Sequence, residues 1–406
     1  MSAAKTGNPF SAAGAALGYL YQVRSALLWT LRRQKVASGF LVSIETLDDV
    51  AFETTDGTAP ELLQTKHHRN GVGALSDASV DLWKTLRIWF EGHASALIPE
   101  NASLCLVTTG VAPEGSAASR LGTRERDVSN AQHALDAIAS SSTNNKNKSA
   151  YAAYLGTEPA RRALILDRVV IFDAAPTAVD LASELKQEVY WAAPREHHEA
   201  FLARLEGWWF ERVLRQLANA DGDRIGSIEI EAQMSDLREQ FQRQSLPIDV
   251  DVLEATLDDA TKAALTDTTF VRQLEIISAG KSRITSAIRD YYRAFQQRSR
   301  WLREDLVVDL DLHRYERRLI EAWELTFDAM KDDLGEGAAE EAKSRAARGV
   351  LAWAESASIP IRVNVTEPFV SRGSFHILSD SARIGWHPEF SERLKAVLES
   401  KQKGAA

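Results

Sequence analysis

The stretch FLVSIETLDDVAFETTDGTAPELLQTKHH, residues 40–68, decides how the N-terminal part of this chain folds. Phe40 to Glu45 alternates and is rich in β-branched residues, DDVAFETT follows after a short break, and ELLQTKHH follows the Asp56-Gly57 turn. Apolar runs punctuated in this way predict an antiparallel meander of three strands. A hairpin folded about residues 56 to 60 sets residues near 49 to 52 across from 64 to 66, which brings Asp49 close to Lys66. Gln64 and Lys66 are two apart on one strand, so their side chains share a face.

Upstream, Leu20, Val23, Leu27 and Leu31 make a helical stripe between Ala15 and Leu31, and Gly39 closes it. Downstream, Leu82, Leu86, Trp89 and Phe90 mark a second amphipathic helix, Leu104 to Thr109 a strand, and Leu164 to Phe172 another after a polar loop at Ser140 to Ser149. This alternation predicts an α/β domain. From about Pro176 strand signals become scarce, and charged helical patterns cover 184–218, 234–243 and 270–303. The C-terminal part predicts helices at His313–Met330 and up to Glu355, an extended segment over Ser358–Asp380, and a closing helix at Glu389–Glu399. The expected organisation is an α/β domain at 1–220, a helical connector at 221–305 and a small α+β domain at 306–406.

At 406 residues, 45% hydrophobic and 26% charged, the chain has the composition of a soluble globular protein with more than one core. No apolar h-region precedes a cleavage site, and charged residues interrupt every stretch short of the roughly 18 apolar residues a membrane span needs. A cytoplasmic protein with no membrane role is the expectation. Cys105 is the single cysteine, so an internal disulfide and a thiolate zinc cage are excluded, and its setting in SLCLVTT predicts a buried strand position. The net charge of −9 opposes DNA binding unless basic residues are locally concentrated or a partner supplies part of the grip.

Phosphodiester hydrolysis uses a divalent cation to polarise phosphate and generate hydroxide, and Mg²⁺ takes one or two carboxylates beside water and phosphate oxygens. Asp49 is the candidate metal ligand, Gln64 a candidate oxygen donor, and Lys66 the cation that orients water or stabilises the pentavalent phosphate. Glu45 and Asp48 are candidates for a second acidic ligand, and Glu53 is a weaker one, further along the strand. The plain alternative for each is a solvated hairpin charge. His67 and His68 read as the end of the strand rather than phosphate contacts. His197 and His198 are adjacent on a helix and cannot chelate as an i, i+4 pair, and Trp208 and Trp209 read as helix packing beside Phe210 and Leu214. Arg372, His376, Trp386 and His387 read as a turn-rich docking surface anchored by Trp386, not as a second catalytic centre, because no acidic pair accompanies the histidines at metal-ligand spacing.

GAALGYLYQ, IETLDDVAFE and ELLQTKHH, in this order, resemble the PD-(D/E)xK restriction-endonuclease-like superfamily, in particular the double-strand DNA endonuclease domain of CD-NTase-associated bacterial antiviral effectors. The resemblance covers roughly the first 110 residues. It implies Gln22 on a helix beside the site, Glu45 and Asp49 as acidic ligands, and Gln64 and Lys66 as the final motif, with Gln where the superfamily more often has a carboxylate. A second resemblance rests on RYERRLIEAWELTFD, the Ser358–Asp380 segment and ARIGWHPEF. These look like the C-terminal domain of effectors in ABC-three-component systems, the group that includes Lamassu anti-phage defence. It implies an SMC-like ABC ATPase and a small third subunit as partners, with release and assembly into a homo-oligomer on activation. The combined expectation is a bacterial, Mg²⁺- or Mn²⁺-dependent endonuclease acting on double-stranded DNA. The competing expectation is an inert DNA-end-binding or scaffold subunit, and an RNA or single-strand nuclease fits the same residues.

Overall fold

The computed structural model describes residues 13–55, 60–66, 73–219, 223–335 and 337–396. The chain separates into two compact units, Met1–Ala192 with His198–Asp236, and Ala193–His197 with Leu237–Ala406.

The first unit runs α1 (Ala13–Gln34), β1 (Phe40–Ile44), β2 (Val50–Thr54), β3 (Glu61–Lys66), α2 (Val80–Ala94), β4 (Ser103–Thr108) and α3 (Ala117–Arg120). It continues with α4 (Val128–Ser141), α5 (Lys148–Leu155), α6 (Pro159–Leu166), β5 (Val169–Phe172), α7 (Leu181–Glu188), α8 (His198–Ala218), β6 (Ile225–Gly226) and most of α9 (Ser227–Gln240). The strands form one mixed sheet in the order β5-β4-β3-β2-β1-β6. β1 to β3 are the expected antiparallel meander, with Ile44 opposite Val50 and Val50 opposite Leu63. β3, β4 and β5 are parallel, because each return to the sheet passes through helices, α2 in one case and α3 to α6 in the other. The two-residue β6, which the sequence did not announce, pairs with Leu41 and Val42 at the β1 edge.

α2 presents Leu82, Trp83, Leu86, Trp89 and Phe90 to a core shared with Ala51, Leu62, Leu104 and Leu106 of the sheet. Each such side chain, buried, contributes about 1.5–3 kcal/mol relative to exposure. The apolar run expected as one strand from Leu164 is divided: Ile165 and Leu166 finish α6, and only Val169–Phe172 is strand. The polar loop expected at Ser140–Ser149 is a short link between α4 and α5. The helix expected over 184–218 is interrupted after Glu188, where Pro194 disfavours helical backbone for the residue before it.

The second unit contains α10 (Val250–Leu253), α11 (Asp259–Thr266), α12 (Thr269–Ile276), α13 (Lys281–Arg303), α14 (Asp309–Leu334), α15 (Glu340–Ser356), α16 (Pro368–Asp380) and helical residues 390–396. No strand occurs among its described residues, so the expected α+β module is helical. The extended reading of Ser358–Asp380 fails: residues 361–364 bend into a turn closed by the Val365 N–H on the Arg362 carbonyl, and 368–380 are helix. Pro368 starts α16 at the position where a missing N–H costs nothing, and burial of Phe369, Val370, Phe375 and Leu378 outweighs the poor helix propensity of its Ser, Gly, Val and Phe. Gly373 is required there, since a Cβ would run into the Asp290 carbonyl and the Ala294 side chain of α13. The expected connector at 221–305 is divided as well. Ile225 belongs to the sheet, whereas Phe270, Val271, Leu274 and Ile288 share one core with Tyr315, Leu319, Leu351 and Trp386.

Candidate functional site

The turn between β1 and β2 carries the acidic residues, and three elements converge on it. Asp49 lies one residue before the Val50–Leu63 pair. Its Oδ1 accepts from Gln64 Nε2 at 3.0 Å, and its Oδ2 accepts from the Thr65 N–H at 2.7 Å and the Thr65 hydroxyl at 3.1 Å. Lys66 Nζ donates to Gln64 Oε1 at 2.7 Å and lies 3.9 Å from Asp49 Oδ2. From α1, Gln22 Nε2 donates to Glu45 Oε1 at 2.8 Å and to the Asp49 carbonyl at 2.6 Å. The Glu45 N–H donates to that same carbonyl at 3.2 Å. Glu45 has φ 55°, a left-handed conformation uncommon outside glycine, and these bonds hold the turn in it.

The acidic candidates have separate surroundings. Asp48 is 8% exposed; its Oδ1 accepts from Gln64 Nε2 and from the Asp49 N–H at 3.0 Å, and its Oδ2 accepts from Trp89 Nε1 at 3.1 Å. Burial pushes its carboxyl above the ordinary aspartate range, while the bonds from Gln64 and Trp89 pull the other way. The oxygens of both aspartates are engaged, but Asp48 is buried where Asp49 is not, so Asp48 braces Gln64 from behind. Glu53 pairs with Arg224 at 3.0 Å and stands opposite Leu41, away from Gln64. Glu45, exposed, is left beside the half-buried Asp49.

Asp49 and Glu45 are thus the two acidic candidates that are not buried, and carboxylates are the ligand type Mg²⁺ takes together with water. Gln64 departs from its expected role, because its amide nitrogen faces Asp48 and Asp49 and its oxygen is held by Lys66. A cation shared by Asp49 and Gln64 requires that amide to turn about its last torsion. Thr65 and Trp89 were not among the sequence candidates. Strand alternation sets Thr65 on the opposite face, and Trp89 reads as helix core; the one available signal was that a buried indole N–H needs an acceptor.

Cys105 is buried as expected, and burial raises its thiol. Trp209 is buried and donates Nε1 to the Val23 carbonyl at 2.8 Å, whereas Phe210 and Leu214, expected to pack beside it, are 40% and 43% exposed. His67 and His68 lie outside the described residues.

Residues 270–394 match the family model described as C-terminal domain 7 of the ABC-three component (ABC-3C) systems. The match spans α12 through the helical residues at 390–394. No curated protein matches the chain. Among solved structures, the Moraxella osloensis Cap4 SAVED/CARF-domain containing receptor is similar at 14% identity over 70% of this chain and 69% of that one, with a TM-score of 0.37. The Acinetobacter baumannii Cap4 SAVED/CARF-domain containing receptor is similar at 14% identity over 71% and 69%, with a TM-score of 0.33.

Within the domain 7 segment, the expected docking residues turn inward. Trp386 is fully buried in the core with Phe375 and Trp323, so it anchors the unit itself rather than an exposed face. Arg372 pairs with the buried Asp290 at 2.7 Å. His387 is 1% exposed, and its Nδ1 accepts from the Glu389 N–H at 3.1 Å, which places its proton on Nε2, 3.3 Å from Glu340. Among the described residues, three metal-type side chains converge within 4.8 Å at Glu340, His387 and Glu389, and not at the Asp49 site. That trio is an ion-pair network: Arg393 and Lys343 already hold the two glutamates, and a protonated Nε2 has no lone pair for a metal.

Proposed function

We propose that the first unit is a metal-dependent endonuclease acting on double-stranded DNA and that the chain is the effector of an antiviral ABC-three-component system. The observation carrying this reading is the convergence of Gln22, Glu45, Asp49, Gln64 and Lys66 from a helix, a turn and a strand onto one solvent-facing spot. Glu45 and Asp49 would hold Mg²⁺ or Mn²⁺, and the bound ion would polarise the phosphate and acidify its water. Gln22 fixes the Glu45 carboxylate, and Thr65 fixes that of Asp49. Lys66 holds its ammonium by Gln64, where it balances the charge that develops on phosphate.

A net charge of −9 weakens the grip of one copy on DNA, so partners and self-assembly enter the proposal: an SMC-like ABC ATPase and a small third subunit restrain the effector, and a homo-oligomer multiplies the phosphate contacts. The match of residues 270–394 to an ABC-three-component domain supports this arrangement. The competing reading is a catalytically inert DNA-end-binding or scaffold subunit.

Wild type and Lys66→Ala, alone and with the two partner subunits, are incubated with plasmid and linear DNA in Mg²⁺ or EDTA. Cleavage that requires Mg²⁺ and vanishes in Lys66→Ala is the expected result. A wild type inert in every combination that still binds partners or DNA ends would favour the scaffold.

A further inference from the structure

The second unit contains a cavity of about 600 Å³ between α14 and the segment that follows α15. Arg314, Arg317, Arg318 and Arg362 line it, with Asp311 as the one acidic residue in its wall. Among the described residues, none of these four guanidiniums has a carboxylate within ion-pairing distance, whereas Arg283, Arg298, Arg300, Arg372 and Arg393 of the same unit all do. Arg318 donates instead to the Pro360 and Ile361 carbonyls at 3.0 and 3.1 Å, and Arg362 to the Ser245 and Leu306 carbonyls at 3.1 and 2.7 Å. Carbonyls fix the direction of a guanidinium without neutralising it. Arg362 is half-buried, and burial lowers its pKa against the pull of Asp311. Arg314, Arg317 and Arg318 are exposed and keep their charge in water, so the partly desolvated Arg362 is the member that gains most from an anion.

Arg314, Arg317 and Arg318 stand at i, i+3 and i+4 on α14 and therefore share one face. Guanidinium forks match phosphate oxygens in pairs. The charge does not extend into a track for a nucleic-acid strand, because the flanking turns of α14 carry Asp309, Asp311, Glu321 and Glu324. A cavity of this volume is in the range that encloses a small ligand. Pro360, Ile361 and Val363 give it an apolar wall beside the arginines.

We infer that this cavity binds a nucleoside di- or triphosphate, its phosphates on the four arginines and its nucleoside against Pro360, Ile361 and Val363. The site is separate from the Asp49 cluster, so the inference stands whether or not the chain cleaves DNA.

The full chain is titrated calorimetrically at low salt in EDTA with ATP, adenosine, pyrophosphate and a 5′-phosphorylated single-stranded oligonucleotide. Arg314 and Arg317 are exposed, and a double Arg314→Gln, Arg317→Gln variant is compared after its melting temperature is checked against wild type. ATP is expected to bind at least tenfold more tightly than adenosine or pyrophosphate, and the variant to bind ATP at least tenfold more weakly at an unchanged melting temperature. Absence of ATP binding at millimolar concentration, equal affinity for pyrophosphate, tighter binding of the oligonucleotide, or unchanged ATP affinity in the variant would each overturn it.

Discussion

Asp48 and Gln64 in the first unit are each less than a tenth exposed, and each is satisfied by the other and by Trp89, Asp49 and Lys66. His376 and Trp386 in the second unit are buried as deeply, yet His376 Nδ1 and Trp386 Nε1 have no hydrogen-bond partner. A closed polar network fixes the position of every member, which is what a site needs, and leaving one member unpaired costs about 1–3 kcal/mol. Isolated buried polar groups serve packing instead: His376 lies against Phe270 and Trp386, with ring centroids 5.5 and 6.0 Å away. The two pairs thus differ in that the buried polar groups of the candidate site satisfy one another, whereas those of the second unit are held by packing.

Four measurements test that contrast, the largest effect first. Lys66→Ala should lower plasmid cleavage by about 100-fold or more, as loss of a charge-stabilising donor does, while denaturant unfolding of the half-exposed site shifts little. A parallel loss of stability would make Lys66 structural. Gly373→Ala should destabilise the second unit by about 1–3 kcal/mol through overpacking against Asp290 and Ala294, seen as a lower midpoint in urea. An unchanged midpoint would show that α13 and α16 are not held in that close approach.

Asp48→Asn places an amide donor opposite Gln64 or Trp89 and should cost about 1–3 kcal/mol. Cleavage by the folded fraction should survive, since Asp48 braces the site from behind; its complete loss would return Asp48 to the list of ligands. The smallest effect is in pH. Burial lowers the His376 pKa from 6.5 to about 3. Above 6.5 the imidazole is neutral in folded and unfolded chains, so its contribution is fully present there. As pH falls below 6.5 the unfolded chain takes up a proton that the folded one refuses until about 3, so stability declines across that window. Between pH 6.5 and 5 the decline should be roughly 1–2 kcal/mol, and His376→Phe should flatten it. An equal slope in the variant would assign the dependence to other groups.

How far the candidate site was legible differs by residue. The meander, and with it the meeting of Asp49, Gln64 and Lys66, follows from alternation and a two-residue spacing, both local features, while the expected turn at Asp56-Gly57 lies outside the described residues. The order among Glu45, Asp48 and Glu53 was not legible. It depends on Trp89 and Arg224, which are 41 and 171 positions from their acidic partners. The same limit produced the inverted reading of Trp386, where sequence offers a large aromatic beside turn residues and only the packing of α12 to α16 says that it faces inward.

By itself the sequence determined that α1 and α2 are helices, which three strands pair, and that Asp49 and Lys66 meet, because these depend on neighbours within a few residues or one turn. Tertiary structure alone decided that Pro368–Asp380 is a helix, that Asp48 is buried against Trp89, and that four arginines around one cavity lack carboxylate partners among the described residues. Each of those outcomes is set by burial and by partners distant in the chain, and no local pattern encodes which distant side chain will supply the missing contact.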